Sequence, residues 1–171
     1  MSVVDISALR GKDNELIVKE LSVAGCIGSN RTYTQTYTFA PPYPEQHLPY
    51  KSRKTNNWVT ASKHGISWND GLTPHWKVKT ILRTHAQFCS TVRTAKYALM
   101  YAKGGEKAKF LSEILGYPVI DLDTLGCPKA EDIYLDEYTS CTLPHHMFDD
   151  THCSVSKSHK FLAWLKKNRY L

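Results

Sequence analysis

Cys141, His145, His146, His152 and Cys153 crowd together just ahead of FLAWLKK, an apolar run with helical spacing. Thiol and imidazole side chains this close form a candidate metal centre. Zinc takes four ligands in a tetrahedron from Cys, His and carboxylate groups, so CxxxHH followed by HC offers three ligands locally and needs a fourth from elsewhere in the chain. The competing reading is a loop with two buried thiols and surface histidines. The adjacency of His145 and His146 leaves open which one is the ligand. A site filled by four protein groups keeps no open position for water, so its role would be structural, pinning the last helix in place.

The rest of the composition narrows the setting. The five cysteines are odd in number and widely spaced, which argues against a disulfide framework and for reduced thiols. At 171 residues, 42% hydrophobic and 22% charged, the chain is expected to form one domain spanning 1–171. No apolar run reaches the roughly eighteen residues a membrane span requires, and MSVVDISALRG lacks the pattern of a secretory signal. The expectation is an intracellular protein, cytoplasmic or nuclear, without a membrane partner. A formal charge of +6 and a pI near 9.0 favour a polyanionic partner, because clustered Lys and Arg gain affinity by releasing counterions from phosphates. The basic residues group as Lys51, Arg53 and Lys54, as Lys103, Lys107 and Lys109, and as Lys160, Lys166, Lys167 and Arg169. A solvated surface explains charge equally well unless several of these share one face.

The elements that must position these residues follow from periodicity. SVVDI (2–6) and ELIVKELSVA (15–24) are β-rich runs separated by the turn-forming RGKDN, and RTYTQTYTFA (31–40) is a third strand, so the chain opens as an antiparallel meander. PPYPEQHLPYKSRKTNN is predicted to be a loop. From Pro74, Trp76, Val78, Ile81, Leu82, His85, Phe88 and Cys89 recur at helical intervals on one side. YALMYA is a strand, EKAKFLSEIL a helix stopped by Gly116, and PVIDLD another strand. SVSKSHKFLAWLKKN is a terminal helix with serine candidates for its cap. The fold class is therefore α/β, a mixed five-stranded sheet of three antiparallel strands and then parallel strands, flanked by helices. That order is the topology of the ribonuclease H-like fold.

On that frame the sequence resembles the DnaQ-like (DEDDh) 3′–5′ exonucleases. VVDIS resembles their first strand with its leading catalytic aspartate, VKELSVA the second strand, and KHGISW (63–68) their HGI turn. ALMYAKGGEKAKFL resembles the second exonuclease motif, VIDLDTL the strand after it, and THCSVSKSHKFLAWL the final helix. Such enzymes use four carboxylates to hold two divalent cations that clamp the attacking and leaving oxygens of a phosphodiester. Here Asp5 is retained, Ser7 stands where its partner carboxylate is expected, Lys107 and Lys157 stand at two further aspartates, and His152 stands at the general base. A protonated ammonium has no lone pair and repels a cation, so the resemblance implies a degenerate centre. The alternative is an active Mg²⁺- or Mn²⁺-dependent nuclease using Asp5, Asp121 and His152, with Glu106, Asp123 or Asp150 as substitute carboxylates.

The same departures resemble the Maelstrom-type branch of the fold, which has a Glu-Cys-His-Cys zinc site. That resemblance implies Glu20, Cys141, His145 or His146, and Cys153 as zinc ligands. It implies a catalytically degenerate, zinc-stabilised protein, and the basic charge adds the expectation that Lys103, Lys107, Lys157 and Lys160 bind nucleic acid, with single-stranded RNA favoured over DNA, in RNA silencing or mobile-element biology. A protein-interaction scaffold is the remaining alternative. For Asp5, Asp121 and Asp123, turn caps and lysine pairs are the plainer reading, whereas three acids on one cleft would indicate cation binding. For Trp68, core packing competes with base stacking, and for the tyrosines of YTQTYTF a half-buried strand does.

Overall fold

The computed structural model of the protein describes residues 1–27, 31–88, 99–135, 141, 152–168 and 170. Five strands, β1 (Ser2–Arg10), β2 (Leu16–Ile27), β3 (Arg31–Thr38), β4 (Met100–Ala102) and β5 (Ile120–Asp121), form one sheet in the order β3-β2-β1-β4-β5. β2 runs antiparallel to both β1 and β3, while β4 and β5 run parallel to β1 and to each other. The mixed five-stranded sheet expected from the sequence is present.

β1 is central and covered on both faces, so Val3 through Ser7 are all buried without alternation. Its even residues Val4 and Ile6 meet α2 (Val78–Phe88) and α3 (Gly105–Leu115) through Val78, Leu82, Leu111 and Leu115. Val3, of opposite parity, joins Ala24 and Tyr101 against α4 (Ser154–Lys167) through Phe161, Leu162 and Leu165. Helices therefore cover both sides of the sheet. Ser22–Ser158 (3.2 Å) and Thr34–His159 (2.5 Å) hydrogen bonds fix α4 across β2 and β3.

The β1–β2 register slips between Ser7 and Ala8, which pair with Glu20 and Val18, so Lys19 is the extra residue of a bulge. The consequence is visible in parity: Val18 and Leu21, three residues apart, lie in one core cluster. Lys19 is fully buried and donates to the carbonyls of Phe39 (2.7 Å), Trp68 (2.6 Å) and Asp70 (2.6 Å). Burial pushes its ammonium down to about 8, with Asp70 pulling the other way.

Several sequence expectations are corrected. Tyr50–Val59 is an α-helix, α1, within the segment read as a loop; its buried residues are Ser52 and Asn56, so no apolar stripe marks it. Ser52 Oγ donates to Gly11 O, and the Asn56 amide exchanges hydrogen bonds with the backbone of Arg10. These polar contacts do the docking that apolar residues usually do. A π turn (Thr60–His64) extends α1 and closes on Gly65 at φ 69°, a left-handed conformation that favours glycine. Trp76 is 72% exposed and is not on the packed side of α2. PVIDLD yields a two-residue strand and then a 3-10 turn (Leu122–Leu125). The cap of α4 is Cys153, whose sulfur accepts from Ser156 N–H (3.4 Å). Cys89 and residues 97 and 98 lie outside the described residues. Among the described residues, no helix is long and apolar enough to cross a membrane.

Candidate functional site

β1 leads on to β2 on one side, β4 leads on to β5 on the other, and a crevice opens between them beyond the carboxyl end of β4. In open α/β sheets, that is where ligands collect. β4 pairs with β1 only at Ser2 and Val3, so Asp5 lies past the last paired residue, at the floor of the crevice. It is 2% exposed, and Nζ of Lys107 from the first turn of α3 stands 2.5 Å from its Oδ1. Lys157, one turn into α4, enters from the other side. Burial lowers its ammonium below the usual lysine range; Asp5 opposes that shift, and Lys107 and Lys63 add to it by repulsion.

Asp5, Lys103, Lys107, Lys129, His152, Lys157 and their neighbours line one pocket of about 200 Å³. Lys103 is paired with Asp123 and the Cys127 carbonyl, and Lys129 with Glu131 at 3.6 Å. Lys157 has no carboxylate in direct contact among the described residues, so the pocket holds a cation that its own acids do not neutralise. Such a pocket suits an anion with several oxygens. Lys107 is also shared with a second cavity of about 270 Å³, lined by Ile6, Leu9, Leu16 and Val59 beneath the Arg10–Glu106 ion pair (2.9 Å).

The other acids named from the sequence are placed elsewhere. Asp121 Oδ1 accepts from the Gly104 and Asp123 amides, both at 3.0 Å, and so shapes the entry to α3. Asp5 and His152 line the pocket; Asp121 is outside its lining, and Asp123 is spent on Lys103. Glu106 pairs with Arg10, and Asp150 lies outside the described residues. Lys160 is half-buried on α4, one turn beyond Lys157 and outside the lining. Trp68 is core, with its indole N–H on Tyr43 O (3.1 Å), and Tyr33 and Tyr37 of β3 pack on His85 of α2. Lys63 and Lys129 were not singled out by spacing. The only signal for Lys63 is its place directly before HGI.

Glu20 sits on β2, fully buried, and accepts a hydrogen bond from the Ser154 hydroxyl at the first residue of α4. Cys153, the residue before Ser154, is also buried, and its thiol interacts with that of Cys141. Burial first, with Cys141 adding to it and the Ser156 amide opposing, pushes the Cys153 thiol up to about 12. The two thiols interact, and the Glu20 carboxylate is tied to Ser154, the residue after Cys153; thiol and carboxylate are donor types that zinc takes. His145 and His146 lie outside the described residues, and among the described residues no three His, Cys, Asp or Glu side chains form a cation cluster. In comparison with known proteins, the chain matches no family model and no curated protein.

Proposed function

We propose that this is a ribonuclease H-like domain of the DnaQ type with a degenerate catalytic centre, which binds single-stranded nucleic acid, RNA above all, without cutting it. The observation that carries the reading is the convergence of Lys107 and Lys157 on Asp5 in one pocket at the carboxyl end of the parallel strands. An ammonium on the aspartate that would hold a metal competes with any divalent cation there, and the remaining positive charge suits a phosphate. The cavity sharing Lys107 supports a nucleotide over a free anion, because its Ile6, Leu9, Leu16 and Val59 side chains offer an unstacked base an apolar surface next to the phosphate. Glu20, Cys141, Cys153 and His145 or His146 hold a structural zinc in this reading. When bound, the metal supplies a cross-link between β2 and the start of α4, and its thiolates call for a reducing compartment, cytoplasm or nucleus.

The test is fluorescence anisotropy with a labelled single-stranded RNA at low and moderate salt. The wild type should bind with an affinity that falls as salt rises, and the Lys107→Glu, Lys157→Glu double variant should lose at least about tenfold. Equal binding by both proteins would refute the pocket assignment. Cleavage of the RNA in Mg²⁺ or Mn²⁺, lost on Asp5→Ala, would replace the binding reading with that of an active nuclease.

A further inference from the structure

We propose that the protein self-associates through β3, pairing the edge strands of two copies antiparallel about a two-fold axis at Gln35. β3 is the outer strand of the sheet on its long side. Its main chain alternates between facing β2 and facing outward. Thr38 faces outward, since its carbonyl accepts from the amides of Leu72 (3.2 Å) and Thr73 (2.8 Å), which lie off the sheet edge. By the two-residue alternation, Thr36, Thr34 and Thr32 face outward as well. Among the described residues, no main-chain group pairs with those three.

Natural edge strands are normally blunted by lysine, proline, a bulge or brevity. Thr32–Thr38 has none of these: its residues are Thr, Tyr and Gln, it pairs with β2 without a register slip, and it lies within a strand of eight residues. What selects a second copy over another extended chain is the sequence itself. Thr32-Tyr33-Thr34-Gln35-Thr36-Tyr37-Thr38 reads the same in both directions about Gln35. An antiparallel two-fold centred there sets Gln35 against Gln35, Tyr33 against Tyr37 and Thr34 against Thr36. A closed two-fold interface sets residue i against j and j against i, and here every such pair joins like residues.

The register also satisfies the hydrogen bonds. Thr34 and Thr36 both face outward, so each exchanges an N–H and a C=O with its counterpart, giving four main-chain bonds around the axis. Like residues on like faces add Thr–Thr and Tyr–Tyr cross-strand pairs. Leu72 and Thr73 close the edge at Thr38, which leaves Thr38 out of the shared ladder and limits it to Tyr33–Tyr37. Gln35 is exposed, so it can be changed without disturbing the core.

Sedimentation equilibrium of the full chain across a concentration series tests the interface. The wild type should show a monomer–dimer equilibrium. Gln35→Lys and Gln35→Glu each put like charges on the axis and should raise the dimer dissociation constant about fivefold or more, with circular dichroism unchanged. An equimolar mixture of the two variants should restore a dimer, because opposite charges then meet. A wild type that stays monomeric, a dimer untouched by either charge, or a mixture no tighter than its components would each overturn the proposal.

Discussion

Nζ of Lys107 stands 2.5 Å from Oδ1 of Asp5, an ion pair in which the carboxylate is 2% exposed and the ammonium 31%. Residues 102 positions apart meet because β1 and β4 lie parallel and side by side and α3 starts where β4 ends. Removing the cation leaves a buried charge without its partner, so Lys107→Ala should destabilise the fold by about 3 kcal/mol. Urea denaturation of wild type and variant measures it. A loss below about 1 kcal/mol would show that water or Lys157 takes over the carboxylate.

Neutralising the other partner acts in the opposite direction on binding. Asp5→Asn removes the negative charge from the pocket floor and leaves Lys107 and Lys157 free to meet phosphate, so RNA affinity should rise several-fold at low salt. A metal-dependent site would respond otherwise, losing both the divalent cation and activity. Anisotropy titrations at two salt concentrations distinguish the two responses.

Elemental analysis of protein purified without added metal should find one zinc per chain. The metal should be lost in Cys153→Ser and reduced in Glu20→Gln, with a lower melting temperature in both. Zinc-free wild type would return Cys141 and Cys153 to the role of packed thiols.

The Lys19 ammonium satisfies three carbonyls at the β2 bulge. In Lys19→Met they would lose that common donor at a buried position, and the variant should be destabilised by about 3 kcal/mol despite its added apolar character. Its effect should concentrate where β2, the end of β3 and the Trp68–Asp70 loop meet. Hydrogen exchange at the Phe39 amide, which bonds to Lys19 O at 2.8 Å, reports that site directly.

His75, His85 and His159 are all held below the ordinary value of 6.5 chiefly by burial, with the Lys19 charge adding to the shift at His75. A base whose folded pKa is depressed binds fewer protons folded than unfolded, so stability is present above 6.5 and is lost as pH falls below it. Denaturation midpoints measured downward from pH 7 should decline through this window. His85→Phe should flatten part of the decline, although it also gives up the Tyr37 hydrogen bond at 3.1 Å.

The hairpin of β1 and β2, α2, α3 with its Gly116 stop, and α4 were legible in the sequence because each is built from local rules: β-branched runs around a turn, helical apolar spacing, and a left-handed glycine after the last turn. α1 was not, since it docks through Ser52 and Asn56, and hydrogen bonds leave no periodic apolar signal. The chemistry divides in the same way. Residue types marked Cys141 and Cys153, a basic cluster marked Lys107, the resemblance to DnaQ-like exonucleases marked Lys157, and the symmetry of the Thr-Tyr strand is readable from the sequence without coordinates. Only the tertiary structure determined that Lys107 closes on Asp5, that Asp121 shapes a turn outside the pocket, and that Glu20 meets Ser154. Each of those contacts depends on strand order and register, which arise from packing the whole sheet against its helices and from no spacing along the chain.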